Sequence, residues 1–123
     1  TLAHFPGVIP MKNERTRHVD ASEQDESEGY AYYYEYDIYL FTDGSASLAA
    51  RSYVDEPHEA HFLSIEEHGR SRTLVNADLK RSLFQTAQLH LRSEGKTDLR
   101  WLSGRGDGYE PVPAGEAERD AGV

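Results

Sequence analysis

Tyr30-Ala-Tyr-Tyr-Tyr-Glu-Tyr-Asp-Ile-Tyr-Leu-Phe41, Thr42-Asp-Gly-Ser45 and Ala46-Ser-Leu-Ala-Ala-Arg-Ser-Tyr-Val54 read, in that order, as a strand, a turn and a strand. Six of the eight tyrosines fall in the first limb, which suits a pleated, half-buried surface. Glycine reaches positive φ without a Cβ clash, so Asp43-Gly44 supplies the turn. A three-residue loop, Thr42-Asp43-Gly44, sets Ile38 opposite Leu48, Leu40 opposite Ala46 and Tyr36 opposite Ala50 on one apolar face. It sets Glu35 opposite Arg51 and Tyr33 opposite Tyr53 on the other. A two-residue Asp-Gly loop would instead face Asp37 with Ala50 and Ile38 with Ala49, turning the second strand over. The first register is the expectation.

Outward from this hairpin the chain has room for one domain: 123 residues, 37% of them apolar. Residues 30–109 carry twelve acids and nine bases. Residues 1–29 carry six and three, and residues 110–123 carry four and one. Two thirds of the net charge of −9 therefore lies outside the expected core. A basic nucleic-acid footprint is absent, so no nucleic-acid partner is expected. The absence of cysteine excludes disulfides, thiol catalysis and thiolate metal sites. No apolar run approaches a membrane span and no signal-peptide order is present, so a soluble, cytoplasmic protein without a membrane partner is the expectation. Position 1 is Thr and the one Met is Met11, which raises the question whether residues 1–10 are native.

Residues 11–29 offer almost nothing to bury, so 1–29 reads as a flexible acidic arm. After Pro57, residues 60–67 form a third strand although they alternate poorly, and 72–75 adds a short fourth. Asn76 reads as an N-cap and Gly95 as the residue after the last turn, which predicts one long helix. Leu79, Leu83, Phe84, Ala87, His90 and Leu91 fall within an arc of about 140°, with Arg81, Gln85, Gln88 and Arg92 opposite. Residues 97–103 form the last strand, and 110–123 reads as a flexible tail. The expected fold is α+β over residues 30–109: an antiparallel sheet of four to five strands in the order β-β-β-(β)-α-β, with the helix on one face.

One helix covers one sheet face, yet the first strand is aromatic on both. Tyr30, Tyr32, Tyr34 and Tyr36, with Ile38 and Leu40, are assigned to the covered side. Tyr33, Tyr39 and Phe41, with Tyr53 across the hairpin, are the expected binding residues on the other. Three readings of that second face stay open: tyrosines standing half-exposed with wet hydroxyls, self-association as a homodimer, and a protein partner. A small, acidic, non-catalytic interaction protein follows, needing no cofactor. Regulators and toxin-neutralising immunity proteins share its size and acidity, by analogy only.

The competing expectation is a metal-dependent hydrolase. His58 and His61 stand three apart, a spacing that lets both face one metal in a turn or helix but not in a strand. The run Ile38-Tyr39-Leu40-Phe41-Thr42-Asp43-Gly44-Ser45 resembles the first strand of ribonuclease H, which ends in Thr-Asp-Gly-Ser. The resemblance covers about eight residues and implies that Asp43 binds a catalytic divalent metal for phosphodiester hydrolysis. That family's helix also brings a glutamate and its fourth strand an aspartate. Here the helix has only Asp78, and Asp107 follows the strand. A third expectation is a small-molecule pocket among His90, Trp101 and the hairpin tyrosines.

Overall fold

A computed structural model describes residues 11–25, 27, 29–105 and 108–113. Its strands are β1 (Lys12–Ala21), β2 (Gln24–Asp25), β3 (Gly29–Tyr30), β4 (Tyr33–Thr42), β5 (Ala46–Tyr53), β6 (Glu59–Glu67), β7 (Arg70–Arg72), β8 (Asp98–Leu102) and β9 (Tyr109–Pro111). Between β7 and β8 lie a 3-10 turn (Asn76–Lys80) and the helix α1 (Ser82–Ser93). The main sheet runs β1-β4-β5-β6-β8-β9, with β7 also on β6, and β2 pairs β3 separately. It is a mixed sheet: β8 runs parallel to β6, reached by a crossover through α1. The expected all-antiparallel sheet of four to five strands is corrected on both counts. A strand returning through a helix to the same sheet emerges parallel, whereas a hairpin returns antiparallel.

The hairpin closes through Gly44-Ser45. Asp43 N–H donates to Ala46 O at 3.2 Å, Thr42 faces Ser47 and Phe41 faces Leu48. Gly44 has φ +94°, the positive value required at the first central position of a type II′ turn. Asp43 Oδ1 closes the loop by accepting from Ser45 N–H, Ser45 Oγ–H and Ala46 N–H, all at 2.9 Å. Both registers read from the sequence are therefore corrected. Against the preferred one the pairing moves by three residues, and an odd shift exchanges faces. Tyr39 and Phe41, with Leu48 and Ala50, are buried under the helix, while Tyr34, Tyr36, Ile38 and Leu40 face away from it.

The third strand's poor alternation has a structural cause. Phe62 and Ile65 are both buried although three apart, which a regular strand forbids. The register shifts between Ala49 and Ala50, which face Ser64 and Phe62, so Leu63 is the extra residue of a bulge that rephases β6. Below the sheet, Phe62 meets Phe84 with ring centroids 4.4 Å apart, and Phe41 meets the edge of His90.

α1 begins five residues later than the Asn76 cap implied, because Arg81 is extended and separates the 3-10 turn from the helix. Leu79 is thus not part of the α-helical projection. Without it the buried stripe turns by roughly 40°, bringing Gln88 to 2% exposure and leaving His90 half-buried at the rim. Gly95 follows the helix at φ +91°, as expected.

Residues 12–21 correct the expectation of a flexible arm. β1 pairs along its whole length with β4 although nine of its ten residues are exposed. Ladder hydrogen bonds and ion pairs hold it where apolar burial does not: Arg17 Nε lies 2.5 Å from Asp37 Oδ1, and Arg17 NH1 2.6 Å from Glu35 Oε2. β9 likewise extends into the segment read as tail, and Val112 joins the core. Residues 1–10 and 114–123 lie outside the described residues.

Candidate functional site: the open face of the sheet

Alternation along β4 and β5 collects side chains on the face opposite α1. Tyr34, Tyr36, Ile38 and Leu40 come from β4, and Ala49, Arg51 and Tyr53 from β5. β1 adds Thr16 and His18, β6 adds His61, and β8 and β9 add Arg100 and Tyr109. The rings form a continuous series across strands. His18 stacks on Tyr36 at 5.5 Å, Tyr36 meets Tyr53 edge-on at 5.7 Å, and Tyr34 meets Tyr53 at 5.9 Å. Arg51 lies over Tyr53 at 5.0 Å from the ring centroid, and its NH2 donates to Tyr109 Oη at 3.1 Å. Tyr109 in turn lies 4.7 Å from the His61 ring. Cross-strand aromatic pairs of this kind contribute roughly 0.2–1 kcal/mol each, so the surface is pre-ordered. Tyr34 is 52% exposed and Leu40 36%, Thr16 and His18 are exposed, and the other residues of the face are half-buried. Arg51 places one cation in the middle of the face, while Arg100 Nε lies 3.3 Å from Asp98 Oδ1, which offsets its charge.

Of the binding residues expected from sequence, Tyr53 lies on this face. Tyr39 and Phe41 do not: at 1% and 0% exposure they are core, and Tyr39 Oη donates to Glu94 Oε1 beside the helix end. Tyr33 shares their side of the strand yet is 48% exposed, with its ring near Tyr30 and its hydroxyl donating to Glu35. Tyr34, Tyr36, Ile38 and Leu40 were assigned to the covered side and are instead the open one. The missed signal is Gly44-Ser45, itself a two-residue type II′ pattern.

The metal candidates are placed apart in role. His58 is exposed in the turn before β6, where its backbone carbonyl accepts from Asp98 N–H. His61 stands on the open face, and burial, with Arg51 and Arg100 nearby, pushes its pKa down. Asp43 is occupied with closing its turn, whose hydrogen bonds hold its carboxyl below the usual range against the opposing effect of burial. β8 pairs with β6 and not with β4, the strand that leads into Asp43, and Asp107 lies outside the described residues. Among the described residues no group of three or more His, Asp or Glu side chains converges as for a metal ion. His90 and Trp101 lie on the helix side of the sheet, away from Tyr34, Tyr36 and Tyr53.

At one end of the open face, carboxylates crowd. A hydrogen bond shared with Glu56, then burial, then Asp98 raise Glu59 to about 7. The folded chain therefore holds this proton from the ordinary glutamate value, about 4.3, up to about 7. Stability falls as pH rises through that window, because the folded state binds the proton more tightly. Glu59→Gln is expected to leave urea stability unchanged at pH 4 and to raise it at pH 8 by about 1 kcal/mol, after discounting for solvent screening. An equal difference at both pH values would remove this assignment.

No protein-family model matches the chain, and neither a curated protein nor a solved structure shows significant similarity to it.

Proposed function

We propose that this chain is a non-catalytic interaction protein whose open sheet face, centred on Tyr36, Arg51 and Tyr53, docks a protein partner. One observation carries the reading: α1 occupies the opposite face, while the aromatic series from His18 through Tyr36 and Tyr53 to Tyr109 stands on this one. Tyrosine and arginine are the residue types in which binding energy concentrates. They join large rigid area to a hydrogen-bonding end. The Arg51 guanidinium at the centre of the face favours a partner that sets a carboxylate against it.

For a partner recovered with the wild-type chain and then purified, Tyr36→Ala and Tyr53→Ala are each expected to weaken binding at least about tenfold. Tyr33→Ala, on the other side of the sheet, is expected to leave the affinity unchanged. Titration calorimetry reads the difference. Affinity insensitive to Tyr36 and Tyr53 would overturn the proposal.

A further inference from the structure

β1 ends the sheet, and among the described residues no strand lies beyond it. A ten-residue strand with an unpaired edge is a template for another chain, and natural edges are commonly blunted by short length, proline or charge. This edge is long and has no proline. Its charges, Lys12, Glu14, Arg15, Arg17 and Asp20, are of both signs, and their order carries information.

Consider two copies joined antiparallel along β1 by a two-fold axis perpendicular to the sheet. Each copy's helix then lies on the same side, and every residue meets one of its own face. This restricts the centre of the pairing to a residue facing itself. Centred on Thr16, Lys12 faces the partner's Asp20, Glu14 faces the partner's His18, and the two Thr16 side chains meet on the axis. All three pairs lie on the open-face side: Lys12 and Asp20 are opposite charges, Glu14 can accept from the His18 ring, and Thr16, whose Oγ1 lies 2.8 Å from His18 Nε2 of its own chain, meets its copy. Centred on Arg17, Glu14 would instead face the partner's Asp20. Centred on Arg15, neither Lys12 nor Glu14 meets an opposite fixed charge: Lys12 faces the partner's His18 and Glu14 the partner's Thr16. On the helix side of the Thr16 register, Arg15 faces the partner's Arg17. Both guanidiniums already have carboxylates in their own chain: Arg17 with Asp37 and Glu35, and Arg15 with Glu94 at 3.7 Å.

We infer that the protein forms a two-fold homodimer through β1–β1 pairing centred on Thr16, continuing one sheet across two copies. Both open faces then lie on the same side of the joined sheet, doubling the docking surface. The dimer does not depend on the proposed function, since a copy is recognised here by edge hydrogen bonds and charge order and not by the tyrosine face.

The full chain has no cysteine, so Thr16→Cys introduces a single thiol at the axis. Under mild oxidation it is expected to give disulfide-linked dimers, and His18→Cys, off the axis, far fewer. In sedimentation equilibrium at micromolar concentration, Lys12→Asp and Asp20→Lys are each expected to weaken the dimer about tenfold or more. The variant carrying both is expected to recover. Circular dichroism of each variant verifies folding. A monomeric wild type, equal cross-linking at positions 16 and 18, or no recovery in the double variant would each overturn the inference. So would a dimer indifferent to β1 but lost in Tyr36→Ser, which would assign self-association to the open face.

Discussion

Phe41→Ala is expected to destabilise the protein by about 3–5 kcal/mol, and Leu40→Ala, one residue earlier, by less than about 1 kcal/mol. Phe41 is fully buried, stacks on Tyr39 at 6.1 Å and meets His90, so its removal leaves a cavity between the sheet and α1. Leu40 is 36% exposed on the other face, where truncation opens no void. Urea unfolding followed by the fluorescence of Trp101, itself 3% exposed, measures both. The pair tests the hairpin register, because under the Thr42-Asp43-Gly44 loop the large cost belongs to Leu40. A reversed order would return Tyr39 and Phe41 to the surface and end the case for the open face as described.

Asp78→Ala is expected to cost about 2–4 kcal/mol although the residue lies far from that face. Its carboxylate is 4% exposed and accepts from Arg72 NH1 at 2.7 Å, Arg72 NH2 at 2.9 Å and Val75 N–H at 2.8 Å. Those bonds tie the end of β7 to the 3-10 turn that launches α1. Substitution leaves the Val75 amide unpaired and frees the turn. The Arg72 hydrogen bonds hold Asp78 below the usual carboxylate range, against the opposing effect of burial. A depressed folded-state value means the contribution is full above the ordinary aspartate pKa, near 3.9, and is lost as pH falls through the folded value. Wild type should therefore lose stability steeply below about pH 4, and Asp78→Asn less steeply. Parallel acid profiles for the two would show that Asp78 does not anchor the turn.

The secondary structure was largely legible. Tyrosine and β-branched density marked β4, the 3.6-residue period marked α1, and Gly95 marked its end. The candidate site was half legible. That aromatic side chains stand on both faces of β4 followed from strand alternation, but which face was open turned on whether Asp43-Gly44 or Gly44-Ser45 sits at the turn's centre. β1 was hidden because its partners, Asp37 and Glu35 for Arg17 and Glu94 for Arg15, are 18 to 79 residues away in sequence. Composition counts what a segment can bury, and this strand is held by what it can pair.

Residue order alone determined that the chain makes a tyrosine-rich hairpin, a sheet and one amphipathic helix, since backbone preference and periodicity are local properties. Tertiary structure decided the side of the ribbon under the helix, the parallel return of β8 and the recruitment of residues 12–21 as an edge. The first two compare alternatives nearly equal in local energy that are separated only when Phe41, Phe62 and Phe84 close one core, and the third is decided by ladder and ion-pair partners distant in sequence.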